Sequence, residues 1–82
     1  MTPEQCRAGR ALLDWSQEDL AQRSQVAART VRYFEKGERE LIPGNVAALR
    51  RAFENAGVVF IDQNGGGPGV RLAKPMKRKR GK

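Results

Sequence analysis

The chain has no histidine and a single cysteine, Cys6. Those two scarcities exclude a Cys/His zinc cage, a Ser-His-Asp triad, a Cys-His catalytic pair and any internal disulfide. Cys6 lies in an amphipathic stretch, where a lone thiol is expected as a small core residue rather than a nucleophile. Long apolar runs are also missing. The longest, Val58–Ile61, falls far below the roughly 20 residues of a membrane span, and no stretch resembles a secretory leader. With 82 residues the expectation is one thin-cored domain with little room for a ligand pocket. A cytoplasmic protein without enzymatic activity, metal, cofactor or small-molecule effector is expected.

What the chain does have is positive charge, unevenly placed. The formal net charge is +7. Lys74, Lys77, Arg78, Lys79, Arg80 and Lys82 crowd the last nine positions with no acid among them, which leaves ten basic and nine acidic residues over positions 1–73. The body is nearly neutral and the tail, 74–82, holds the excess. Such a tail suits nucleic-acid phosphates and suits equally well a solubilising terminus, disordered when unbound.

Helix signals dominate the first two thirds. Thr2-Pro3-Glu4-Gln5 reads as a capping box with proline in the first turn. Cys6, Ala8, Gly9, Leu12 and Leu13 then form a stripe, and Gly9, costing about 1 kcal/mol relative to alanine, suggests a close helix contact. Ser16 is expected to cap a second helix that Ser24-Gln25 interrupts. A third spans Ala28 to Glu35, with Val31 and Phe34 inward, and Lys36-Gly37 ends it. Asn45 is expected to cap a fourth, carrying Val46, Leu49, Phe53 and Ala56 on its inner side and stopping at Gly57. Beyond it, Val58–Ile61 and Val70–Leu72 read as a hairpin around the glycine-rich turn 64–69. That stretch lacks the following helix and Lys-Ser/Thr pair of a phosphate-binding loop.

The window from Gln17 to Lys36 carries the chemistry. Two short helices crossing steeply need a small residue where they touch and apolar residues at the inner corners. Ala21 meets the first need, and Leu20, Val26, Val31 and Phe34 meet the second. The opposite face of the second helix then presents Ala28, Arg29, Arg32, Tyr33 and Lys36. Its cations can donate to phosphates and base edges, and Ala28 allows close approach. An ordinary solvated helix face carries similar residues, and Tyr33 could instead pack on the following loop. Trp15, just before the Ser16 cap, is expected in the core, and Arg50-Arg51 on a solvated face.

Over residues 3–57 the sequence resembles the lambda-repressor/Cro-like (XRE) helix-turn-helix family. The residues in register are Arg7, Trp15-Ser16-Gln17, Leu20-Ala21, Val26, Thr30-Val31, Phe34-Glu35, Lys36-Gly37, Pro43 and Leu49. The resemblance implies that Gln17 touches the DNA backbone and that Ala28, Arg29, Arg32 and Tyr33 face the groove. It further implies that Arg7 pairs with Glu35 to tie the first helix to the recognition helix. The loop with Lys36 and Arg39 would flank the groove, which together with Ser16, Gln17 and Thr30 makes a set of phosphate candidates. Three departures stand out. Gln25 occupies the turn position usually held by glycine, Ala27 replaces a capping side chain, and the hairpin replaces the fifth helix.

The expected fold is therefore mostly α: a four-helix repressor-like unit over 1–57, a β-hairpin over 58–73 and a basic tail. The expected function is sequence-specific transcriptional regulation, by a homodimeric repressor that occupies an operator in double-stranded DNA. The hairpin residues Val59, Ile61, Val70 and Leu72 would supply dimer contacts. The alternative is an interaction protein of the same fold, an antiactivator or antitoxin that binds another regulator.

Overall fold

Two capping boxes set the first half of the chain. Thr2 accepts from the Gln5 backbone N–H while the Gln5 side chain accepts from Thr2 N–H, which starts α1 (Pro3–Leu13). Ser16 and Asp19 repeat the reciprocal pair at the start of α2 (Gln17–Ser24). A computed structural model describes residues 1–62 and 65–74. Its remaining elements are α3 (Ala28–Glu35), α4 (Pro43–Asn55), β1 (Val58–Ile61) and β2 (Gly69–Leu72). The expected basic tail lies outside the described residues apart from Lys74, and positions 63 and 64 of the hairpin turn lie outside them too.

The joint between α2 and α3 is built locally. Gln25 is left-handed, with φ 66°, and its N–H closes the helix onto Ala21. Ala27 offers α3 no side-chain cap. Buried Ser24 sits in the same joint, and its hydroxyl accepts from the Val26 N–H. Gly37, with φ 75°, follows the end of α3.

Helix α4 starts two residues earlier than Asn45. Pro43 occupies its first turn and Ile42 is the N-cap, without a side-chain hydrogen bond. Proline needs no N–H partner there and presets φ, so a polar cap at Asn45 is unnecessary. Ala56 is the exposed C-cap rather than an inner helix residue, and Ala8 also faces solvent rather than joining the α1 stripe.

Leu20, Val31, Leu49, Phe53, Val58 and Cys6 are the largest fully buried side chains. Phe53 lies at the centre, stacked on Trp15 and edge-on to Phe60, each at 5.8 Å between centroids. Its ring also explains Gly9: a Cβ there would lie 2.9 Å from Phe53 Cε1. The close approach expected at Gly9 is thus a contact between α1 and the Phe53 ring of α4.

The strands pair antiparallel, Val58 with Leu72 through Ile61 with Gly69. Alternation puts Val58, Phe60, Val70 and Leu72 on the face against the helices, with Val59, Ile61 and Arg71 opposite. Of the four residues assigned to dimer contacts, Val70 and Leu72 therefore pack on this chain's own core. Gln5 fastens the hairpin: its amide donates to the carbonyls of Ile61 at 3.2 Å and Gly69 at 2.9 Å, while its oxygen caps α1. One buried amide thus links the helix start to both strands.

Candidate nucleic-acid interface

The α3 helix turns Val31, Phe34 and Glu35 inward and leaves Arg29 and Arg32 exposed, with Ala28, Thr30 and Tyr33 half-buried. Lys36 is exposed just past its end, and Arg39 is exposed in the loop to α4. None of Arg29, Arg32, Lys36 and Arg39 has a carboxylate within ion-pair distance among the described residues. Glu38 and Glu40 flank Arg39 in sequence without engaging it. The α3 side of the molecule therefore presents four cations without acidic partners. Arg7, Arg10 and Arg50 are paired, and among the described residues Arg23, Arg51 and Arg71 are unpaired singly on other elements. An anionic, extended partner is the chemistry such a row fits.

Behind this face lies one buried carboxylate. Arg10 grips Glu35 with its Nε on Oε2 at 2.8 Å and Nη2 on Oε1 at 2.7 Å. Gln17 Nε2 adds a bond to Oε1 at 3.0 Å, and Cys6 Sγ approaches Oε2 at 3.0 Å. Burial pushes the Glu35 carboxyl up, but the hydrogen bonds from Arg10, Cys6 and Gln17 outweigh it and hold the group below the ordinary carboxylate range. The same environment pushes the Cys6 thiol far up, through burial and its bond to Glu35. Cys6 is accordingly a protonated hydrogen-bond donor in the core.

The expected Arg7–Glu35 side-chain pair is corrected here. Arg7 donates to the Glu35 backbone carbonyl and lies 3.9 Å from Glu4, while Arg10 holds the carboxylate. Both arginines lie on one side of α1, three positions apart, and the one nearer the C-terminus meets the acid.

The phosphate candidates on α2 also have internal roles. Ser16 Oγ accepts from Asp19 N–H, which leaves its hydroxyl proton free, and Gln17 spends one amide N–H on Glu35. Tyr33 meets the following loop, the alternative weighed for it above: the Arg39 guanidinium lies over its ring, 5.3 Å from the centroid. A recess beside α3 is lined by Thr30, Tyr33, Arg39, Ile42 and Asn45, together with Glu40 and Leu41. Ile42, 65% exposed, was not anticipated at this edge. Away from α3, Arg50 pairs with Glu54 and covers Phe60, and Arg23 covers Trp15.

A family model described as helix-turn-helix matches residues 7–55, more than half of the chain and all of the α2–α3 unit. No curated protein matches the chain.

Proposed function

The chain belongs to the lambda-repressor/Cro-like (XRE) helix-turn-helix family of DNA-binding regulators, and from that premise we propose a sequence-specific repressor that acts as a homodimer by occupying its operator. The observation that carries this reading is the row of unpaired cations along and beside α3. Arg29 and Arg32 are the base readers, each able to make a bidentate contact in a major groove, and Ala28 admits the helix closely. Ser16, Gln17, Thr30, Lys36 and Arg39 hold the backbone and set the register. Two copies on half-sites about 34 Å apart would cover one helical turn and exclude polymerase.

Selection of bound sites from random duplexes, read by sequencing, tests the proposal. The expected result is one enriched site with two-fold symmetry. Arg29→Ala and Arg32→Ala should each weaken binding to it by about 1–3 kcal/mol with the melting temperature unchanged. No enrichment with an intact fold would favour the interaction-protein reading instead.

A further inference from the structure

Arg39 is a loop residue between two glutamates, yet its side chain is placed. The guanidinium lies over the Tyr33 ring at 5.3 Å, and none of its N–H groups is spent on a carboxylate or carbonyl among the described residues. Tyr33 is half-buried on α3, with Thr30 one turn before it and Ile42 and Asn45 closing the recess from the α4 side. A guanidinium stacks on an aromatic face while its planar fork of donors still points outward. Arg39 thereby joins Arg29, Arg32 and Lys36, with its guanidinium seated over an aromatic face.

We propose that Tyr33 is a positioning residue: its ring holds Arg39 as a preordered phosphate anchor at the edge of α3, and its hydroxyl reads no base. The inference rests on the DNA-binding reading above and replaces the base contact expected for Tyr33. The contact the structure gives Tyr33 is through its aromatic face, with the Arg39 guanidinium over the ring. The anchor is sequence-independent, because a phosphate is the same at every base pair.

The test uses the full chain on its selected site and on random duplex, with Tyr33→Phe, Tyr33→Leu, Arg39→Ala and the Leu/Ala double variant. Tyr33→Phe keeps the ring and should match the parent in affinity, in selected sequence and in salt dependence. Tyr33→Leu keeps apolar bulk but removes the π face. It should weaken binding to both DNAs alike, by about two- to fivefold. Arg39→Ala should make the slope of log affinity against log salt shallower by about 0.9, one phosphate contact. The double variant should bind no worse than Arg39→Ala alone, since the ring acts only through the arginine. A changed selected sequence or lost affinity in Tyr33→Phe overturns the inference, because the hydroxyl then contacts DNA. So do additive losses in the double variant, or an unchanged salt slope in Arg39→Ala. A parent that enriches no site overturns the DNA-binding reading and this inference with it.

Discussion

Arg10 and Glu35 form a two-pronged ion pair, 2.7 and 2.8 Å long, between the last turn of α1 and the last residue of α3. The Glu35 side chain is only 3% exposed, and Arg10 supplies its one ionic partner among the described residues. Removing Arg10 leaves a buried carboxylate with only Gln17 and Cys6 as neutral donors. Arg10→Ala should therefore cost about 3 kcal/mol, lowering the melting temperature of a domain this size by about 12–24 °C. Arg7→Ala, which loses one hydrogen bond to a backbone carbonyl, should cost about 1 kcal/mol. Thermal melts of the two variants check the order. Equal losses would return the pair to Arg7.

The same carboxylate sets the acid limb of stability. Its pKa is depressed on folding by Arg10, Cys6 and Gln17 against the opposing effect of burial. The stabilisation is therefore complete above the ordinary glutamate pKa of about 4.3 and is lost as pH falls through the lowered folded value. Melting temperature should drop steeply below about pH 4. In Glu35→Gln the drop should be shallower, from a lower plateau at neutral pH. A parallel acid limb in the variant would mean that other carboxylates govern it.

Gly9→Ala pits two opposed effects against each other. Alanine is the better helix former by about 1 kcal/mol, but its Cβ would lie 2.9 Å from Phe53 Cε1. The ring cannot retreat, since Trp15 and Phe60 hold it on two sides and no part of Phe53 is exposed. Overpacking of this kind costs about 1–3 kcal/mol, so a net loss of about 1 kcal/mol is expected in denaturant titration. A gain would show that the ring slides aside.

Features governed by short-range rules were legible before any coordinates. The Thr2–Gln5 and Ser16 caps, the glycine stop after α3 and the alternation of the hairpin each depend on residues a few positions apart. What escaped was decided by geometry between elements. Arg7 and Arg10 are equally good candidates for Glu35 until the angle between α1 and α3 is known. Gln5 reads as a capping residue because nothing local reveals that its amide meets strand carbonyls more than fifty positions away. The uncommitted state of Arg39 is likewise invisible beside Glu38 and Glu40, since sequence adjacency suggests pairing that the loop does not make.

Gln25→Gly should stabilise the fold. Gln25 holds φ 66° at an exposed position, a conformation that costs an L-residue about 1–2 kcal/mol. Glycine removes that cost but adds about 0.4–1 kcal/mol of unfolded-state entropy. The balance is a gain of about 0.5–1 kcal/mol, readable as a higher denaturant midpoint at unchanged slope. Asp14→Gly should gain less, because aspartate tolerates its φ of 59° better than glutamine would.

The last prediction concerns how two copies meet, where the hairpin stands in place of the family's fifth helix. The inner residues Val58, Phe60, Val70 and Leu72 are committed to this chain's own core. The outer face keeps Val59 half-buried and Ile61 39% exposed, one of two large apolar side chains that face solvent among the described residues. Open strand edges and an uncovered apolar face are features that recruit a second strand pair. We propose that two hairpins meet through Val59 and Ile61 about a two-fold axis. The two faces make different predictions. Val59→Lys and Ile61→Lys should shift the chain to monomer in sedimentation while leaving a cooperative melt, because neither side chain supports the core. Leu72→Lys should instead lower the melting temperature of the protomer, because its side chain packs against the helices. Monomeric Lys variants should also bind the selected site with lower affinity, because the two half-sites are then occupied independently. A parent that stays monomeric at high concentration, or outer-face variants that stay fully dimeric, would rule the hairpin out as the contact between copies.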